Sequence, residues 1–438
     1  MPDNSLYIGI DLGTSGCRAI AIDDRARPQA EISVALPAAK HNGPYCEQDP
    51  ILWWQAVGDC LEQLLTQIPA NKVAAIAVDG TSATLLLTDV NGRPLGPALM
   101  YNDSRASEQA TRIAAIAPAG TAAQGPSSAL AKLLWLQDEG LTEQAQHALH
   151  QADWVAARLC GRYGVSDTNN ALKLGFNTQD NKWPDWLDAL SIPRRLLPEV
   201  VTPGTPLASL STDNARRFGL STDTRVVAGT TDSTAAFLAT GASRPGEAVT
   251  SLGSTLVLKV IAEQPVFDAR YGIYSQPLVI NGQQRWLVGG ASNSGGAVLR
   301  QFFNDRQMRE LTPRLRPERR LCLEYYPLPA PGERFPVNDS QLAPCMTPRP
   351  HDDTRFFQAL LEGISRIEKR GYDLLAELGA PYPVTVCSTG GGAGNPAWTA
   401  IRHSLLGVPV LTAKHSDAAV GTALLARRGA HQNNRGTP

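Results

Sequence analysis

Three short turns, far apart in the chain, carry the same kinds of residue. Gly13-Thr14-Ser15-Gly16, Gly253-Ser254-Thr255 and Gly390-Gly391-Gly392 each follow a short apolar run. Glycine at such a place lets backbone N–H groups approach an anion closely. Any one of these turns is as readily a plain hairpin. Together they can do more: two could clamp the phosphates of a nucleotide, and the triple-glycine turn could lie under its base and ribose. No Gly-x-x-x-x-Gly-Lys-Ser/Thr spacing occurs, so a P-loop is excluded.

Two aspartates accompany the turns. Asp11 ends the first apolar run. A carboxylate there can hold magnesium through water beside phosphates, or simply shape the turn. Asp232 follows Gly229-Thr230-Thr231. An alcohol that attacks a terminal phosphate must lose its proton, and a positioned carboxylate can accept it. Asp232 also reads as the N-cap of a helix over 233–242, a role compatible with the first.

These residues must be held by strands that end at them. The pattern predicts strands over 6–10 and 17–22 around the first turn, with a third over 33–36. A helix is expected over 49–68, with Asp49 as N-cap and Pro50 at its first position. A continuous apolar strand over 73–78 stops at Asp79-Gly80-Thr81-Ser82, and 85–89 returns. The middle, 106–197, is richer in helix formers, and 200–223 reads as loop with one short helix. A strand over 226–228 leads to Asp232. The pair 247–251 and 256–261 repeats the strand, small-residue turn, strand pattern of the chain's opening. That echo implies two halves of related architecture. Residues 304–350 read as surface loops and short helices. Helical spacing of Phe356, Leu360, Ile364, Ile367, Tyr372 and Leu375 predicts a long helix over 355–378. A strand over 384–387 meets the triple-glycine turn, Pro396 opens another helix, and 417–428 is helical. The end, 431–438, is expected to be frayed.

Bulk properties narrow the class. At 438 residues the chain is long enough for two domains. With 43% apolar and 18% charged residues it can bury sizeable cores. A formal net charge of −1 gives no support to a nucleic-acid or anionic-membrane partner. Seven scattered cysteines without a Cys-x-x-Cys pair fit reduced thiols rather than a disulfide framework or a zinc site. No apolar run approaches a membrane span, and no signal peptide is evident. The expected setting is cytoplasmic.

Five motifs, in order, give the chain a resemblance. Tyr7-Ile8-Gly9-Ile10-Asp11-Leu12-Gly13-Thr14-Ser15-Gly16 resembles the opening of the FGGY carbohydrate kinases, within the sugar kinase, actin and hexokinase superfamily. Similar matches follow at Tyr101-Asn102-Asp103-Ser104-Arg105-Ala106, Gly229-Thr230-Thr231-Asp232-Ser233, Ser251-Leu252-Gly253-Ser254-Thr255 and Gly390-Gly391-Gly392-Ala393-Gly394-Asn395. The resemblance implies an α/β fold of two ribonuclease-H-like domains around a central cleft. The domains are expected over 1–243, carrying the sugar and the base, and 244–430, carrying the nucleotide, with 431–438 as a flexible tail. It implies ATP and Mg2+ as cofactors. Asp232 becomes the catalytic base and a neighbour of the sugar. Asp11 lies near the metal and the sugar hydroxyl, and Thr14 and Ser15 lie near the transferring phosphate, with Thr14 also near the sugar. Gly253, Ser254 and Thr255 meet the phosphates, and Gly391, Gly392 and Asn395 line the adenosine.

The acceptor is expected to be a ketopentose. Many xylulokinases carry Met-His or Gln-His-Gly after the strand equivalent to 73–78, and glycerol kinases carry Arg-Glu. Here the segment is Asp79-Gly80-Thr81-Ser82-Ala83-Thr84, closer to the ribulose-kinase branch. D-ribulose is therefore expected, converted to D-ribulose 5-phosphate, with D-xylulose second. Ser82 and Asp103 are candidate sugar contacts, or equally a turn serine and the partner of Arg105. The chain is expected to be a monomer or homodimer. An actin-like, nucleotide-switched binding protein is the alternative of another class, but it leaves Asp232 without a task.

Overall fold

A computed structural model of the chain describes residues 5–280 and 282–432. The chain forms two compact units, 1–241 with 417–438, and 242–416. The expected boundary near 243 is close to the first crossing. The second crossing, at 416, differs from the expectation that 244–430 forms one body.

The first unit is built on a six-stranded sheet. Its strands are β1 (Leu6–Leu12), β2 (Gly16–Asp23), β3 (Pro28–Ala35), β4 (Val73–Gly80), β5 (Pro206–Ser209) and β6 (Arg225–Val227), in the order β5-β6-β4-β1-β2-β3. β1 and β2 form the expected hairpin, and β1, β4 and β6 run parallel. β5 lies in a stretch whose Pro- and Thr-rich composition reads as loop. It is an edge strand that begins with proline, a position where the missing N–H costs little.

Alternation along β1 sends side chains to opposite faces. Ile8 and Ile10 join a core with Trp53, Val57, Leu61 and Leu64 of helix α1 (Pro50–Leu64). Tyr7 faces the other way. The carboxylate of Asp49 accepts the N–H of Ile51 at 2.9 Å and caps α1, as its position before Pro50 predicts. Helices α2 (Ala129–Asp138), α3 (Gln151–Cys160) and α4 (Asp232–Ala239) complete the parts that bear on the site.

The second unit repeats the plan. Its sheet comprises β7 (Glu247–Leu252), β8 (Leu256–Ala262), β9 (Gln276–Ile280), β10 (Gln283–Ser292), β11 (Thr385–Thr389) and β12 (Val410–Thr412), in the order β9-β10-β8-β7-β11-β12. Here β7 and β8 are the hairpin, and β7, β11 and β12 run parallel. The opening hairpin and its echo thus hold equivalent places in two sheets. Helix α5 (Gly296–Arg300) starts against the turn of the β7–β8 hairpin. α6 (Asp353–Glu377) buries one long face, and α7 (Pro396–Leu406) follows the triple-glycine turn. The stretch 304–350 is not only surface: Leu328 and Phe335 are fully buried, and Phe335 packs against Gly290 and Gly371.

The last helix, α8 (Ala418–His431), belongs to the first unit. Ala419, Ala423 and Ala426 pack on Tyr7, Ala75, Ala77 and Val227 of its sheet. Small residues allow this approach: a Cβ on Gly421 would sit 1.8 Å from the carbonyl oxygen of Ala235 in α4. His431 ends this helix, so it is not frayed, and the rest of the expected tail beyond Gln432 lies outside the described residues.

Candidate active site

In the first unit, three parallel strands end side by side with an acid at or just beyond each end. Asp11 of β1 is in register with Asp79 of β4. Gly80 bridges to Thr231, one residue before Asp232. Asp232 is the first residue of α4, and Thr231 holds the cap position expected for it. The helix is shorter than the expected 233–242 and stops at Ala239. Asp232 is half-buried, and one of its carboxylate oxygens accepts its neighbour's N–H, from Ser233, at 2.6 Å.

Asp79 is fully buried, and its Oδ2 accepts a short hydrogen bond from Thr422 of α8. Burial first, then the charge of Asp11, pushes its carboxyl well above the usual range; Asp232 adds to the push. Burial also raises Asp11, while its hydrogen bond with Asp79 and the charge of Arg18 pull it back. Two such carboxyls cannot both ionise cheaply. Asp79, the more deeply buried of the two, is pushed further toward its neutral form than Asp11. Asp79 was quoted in the sequence motif but given no role there.

The first glycine turn closes with the N–H of Gly13 on the carbonyl of Gly16 at 3.0 Å. Thr14 is half-buried and Ser15 exposed, at the mouth of the same strand ends as Asp11.

The turn after β4 is held from behind. Gln151 Oε1 accepts both the N–H and the hydroxyl of Thr81, at 3.0 and 2.8 Å. Thr81 and Thr84 share a hydroxyl–hydroxyl bond of 2.6 Å. Fully buried Lys132 of α2 donates to the carbonyls of Ala83 and Met100 at 2.9 and 2.6 Å. Burial holds its ammonium down to about 7. Ala83 sits at φ +68, in the left-handed region. Ser82 is the part-exposed residue of this fixed turn.

Asp103 is a correction. It is fully buried, and its oxygens accept from Cys46 N–H at 2.7 Å and from Arg105 Nε and an Nη. Arg105 is itself stacked between the Tyr45 and Trp135 rings. The carboxylate is spent on this structural pair, which removes Asp103 from the sugar contacts. Other residues were missed. Asp167 accepts from the N–H of Asn169 and from Asn170 Nδ2, and Asn169 Nδ2 donates to Thr230 Oγ1 at 2.9 Å. The run Asp167-Thr168-Asn169-Asn170 lies between Val165 and Ala171 without a glycine or proline. Four buried polar residues in such a place are the signal that could have found them.

The second unit contains a separate cavity of about 700 Å3, within the usual range for small-molecule sites. Gly253, Ser254, Gly391, Gly392 and Asn395 are among its walls, as expected; Thr255 is not. Its apolar side includes Leu299, Met308, Phe357 and Leu361. A Cβ on Gly392 would stand 2.5 Å from the Trp398 ring, so this position needs glycine. Asn395 caps α7 through the N–H of Trp398 at 3.0 Å, and its Nδ2 donates to Thr312 at 3.1 Å. Glycine-lined turns beside an apolar wall fit a nucleotide.

Among the described residues no group of three His, Cys, Asp or Glu side chains could hold a metal ion. A magnesium ion needs less, since it is commonly held by one or two carboxylates together with substrate phosphates. Asp11, beside the first glycine turn, fits that use.

Known proteins share this architecture. The FGGY family of carbohydrate kinases matches in its N-terminal domain over residues 6–239 and in its C-terminal domain over 248–430. The xylulose kinase of Escherichia coli (strain K12) is 25% identical over 441 residues, covering 97% of this chain and 90% of that protein. Of solved structures, a xyloylose kinase from Brucella ovis matches with TM-score 0.88 at 23% identity, covering 97% of this chain and 90% of that one. A Plasmodium falciparum glycerol kinase with ADP matches with TM-score 0.85 at 16% identity, covering 97% and 89%.

Proposed function

The chain belongs to the FGGY family of carbohydrate kinases, and we propose that it transfers the terminal phosphoryl group of ATP to a hydroxyl of a ketopentose, with Asp232 as base. One observation carries the reading: Asp11, Asp79 and Asp232 gather at the ends of three neighbouring parallel strands in one unit. Asp232 accepts the proton of the attacking hydroxyl. Asp79, driven further toward its neutral form by burial, favours the shared charge on Asp11. Asp11 would hold Mg2+, which when bound offsets charge on the transferring phosphates. Thr14 and Ser15 sit near that phosphate, with Thr14 also toward the sugar, and Ser82 offers its hydroxyl to the sugar. In the second unit Gly253 and Ser254 meet the phosphates, while Gly391, Gly392 and Asn395 flank the adenosine. Thr255 supports the phosphate turn from outside the cavity walls.

Two sugars compete. The segment Asp79-Gly80-Thr81-Ser82 lacks the histidine of many xylulokinases; this favours D-ribulose, giving D-ribulose 5-phosphate. The names of the relatives favour D-xylulose. The two differ only in configuration at C3. ADP release measured over a panel of ketoses, aldoses and glycerol tests the proposal. A ketopentose should give the highest kcat/KM, with D-ribulose above D-xylulose. A higher value for D-xylulose reverses the choice of sugar. ATP turnover indifferent to every sugar would instead fit an actin-like switch and reject the acceptor altogether.

A further inference from the structure

A second cavity in the second unit has a different chemistry. Arg314, Arg316, Arg319, Arg320 and Arg355 line a hollow of about 590 Å3, with Asp352 the one acid among its walls. The chain as a whole carries a formal net charge of −1, so this density of guanidinium groups is local. Arg314, Arg316, Arg319 and Arg355 form no ion pair among the described residues. Arg320 donates to the carbonyl and hydroxyl oxygens of Ser404, both at 2.9 Å. Asp352 uses a carboxylate oxygen to cap α6 through the N–H of Thr354.

The backbone that bears these arginines is fixed. Gln358 of α6, almost fully buried, accepts the N–H of Arg316 at 2.9 Å. Its Nε2 donates to the carbonyls of Arg316 and Arg319 at 3.1 and 2.9 Å. Buried Glu362 accepts the N–H of Leu321. Two buried polar side chains thus hold a loop whose exposed arginines repel one another. Water and salt screen part of that repulsion, and an anion shared among the guanidinium groups would relieve the rest. Guanidinium forks pair with phosphate oxygens in a planar, two-bond geometry. The hollow has the volume of a small-molecule site, and its walls offer no aromatic platform for stacked bases.

We propose that this hollow binds a small metabolite carrying at least two phosphate groups. The site is separate from the nucleotide cavity but adjoins it: Thr312 is a wall of one and Arg314 a wall of the other.

The probe is inorganic tripolyphosphate, titrated calorimetrically into the full chain with ADP already saturating. One molecule should bind per chain. The double variant Arg316→Ser/Arg319→Ser should bind at least tenfold more weakly, as should Arg355→Ser on the neighbouring helix. Both should keep sugar-dependent ADP release, and their melting temperatures should hold or rise as repulsion is relieved. Unchanged affinity in both variants overturns the proposal. So does loss of binding when ADP is present, which would assign the probe to the nucleotide cavity. Tighter binding of a single-stranded oligonucleotide than of tripolyphosphate also overturns it, in favour of a nucleic-acid surface.

Discussion

Asp167 is fully buried, and burial, followed by the charge of Asp153, pushes its carboxyl up to about 7. The unfolded value lies near ~3.9. Between those two values the folded chain holds a proton that the unfolded chain has released. Stability therefore falls as pH rises from ~4 through 7, by up to ~4 kcal/mol for a three-unit shift. Asp167→Asn should remove this slope, so the variant's melting temperature gains on the natural chain between pH 5 and pH 8. A constant difference across that range would show that Asp167 does not carry the effect. Contacts between remote residues are hard to read in a sequence: Asn169 and Thr230 meet across 61 positions, and Thr81 and Gln151 across 70. The placement of Asp11 and Asp232 at or beyond strand ends was legible because each follows an apolar run at a small-residue turn. Asp103 was left between two readings because an Asp-x-Arg pair looks the same whether it faces a sugar or closes on itself.

Elements were more legible than contacts. The α1 cap, the two hairpins and the long helix over 353–377 follow from capping residues, glycine turns and helical spacing. The placement of α8 does not, because order along the chain says nothing of a helix that returns to the first sheet. Only its small residues hint at close packing. The expected effect of filling one is specific. Gly421→Val would drive a side chain into the carbonyl of Ala235 and so shift α4, which carries Asp232 at its first position. Overpacking of this kind costs roughly 1–3 kcal/mol or more. A displacement of about 1 Å at a reacting group can cost about a hundredfold in rate. The variant should melt lower and lose kcat with ADP affinity unchanged. Steady-state kinetics beside ADP titration checks this, and an unaltered kcat would separate α8 from the site.

At the scale of the whole chain, the proposed activity divides between the two units by residue content. The cavity proposed for the nucleotide is lined by residues between Leu252 and Trp398, whereas the acids lie in a unit that includes the chain's last helix. Truncation after Ser416 should expose the sheet face of Tyr7, Ala75 and Val227 and leave Asp79 without Thr422. Sugar-dependent turnover should vanish while ADP still binds. A truncated chain that phosphorylates sugar would contradict this division. The central claim is that Asp232 takes the proton of the acceptor hydroxyl. Its most direct test is turnover of Asp232→Ala with saturating ATP, Mg2+ and ketopentose, beside an ADP titration of the same protein. Turnover should fall roughly a hundredfold to ten-thousandfold, with ADP affinity within a few-fold of the natural chain. Near-normal turnover in that variant would contradict the account.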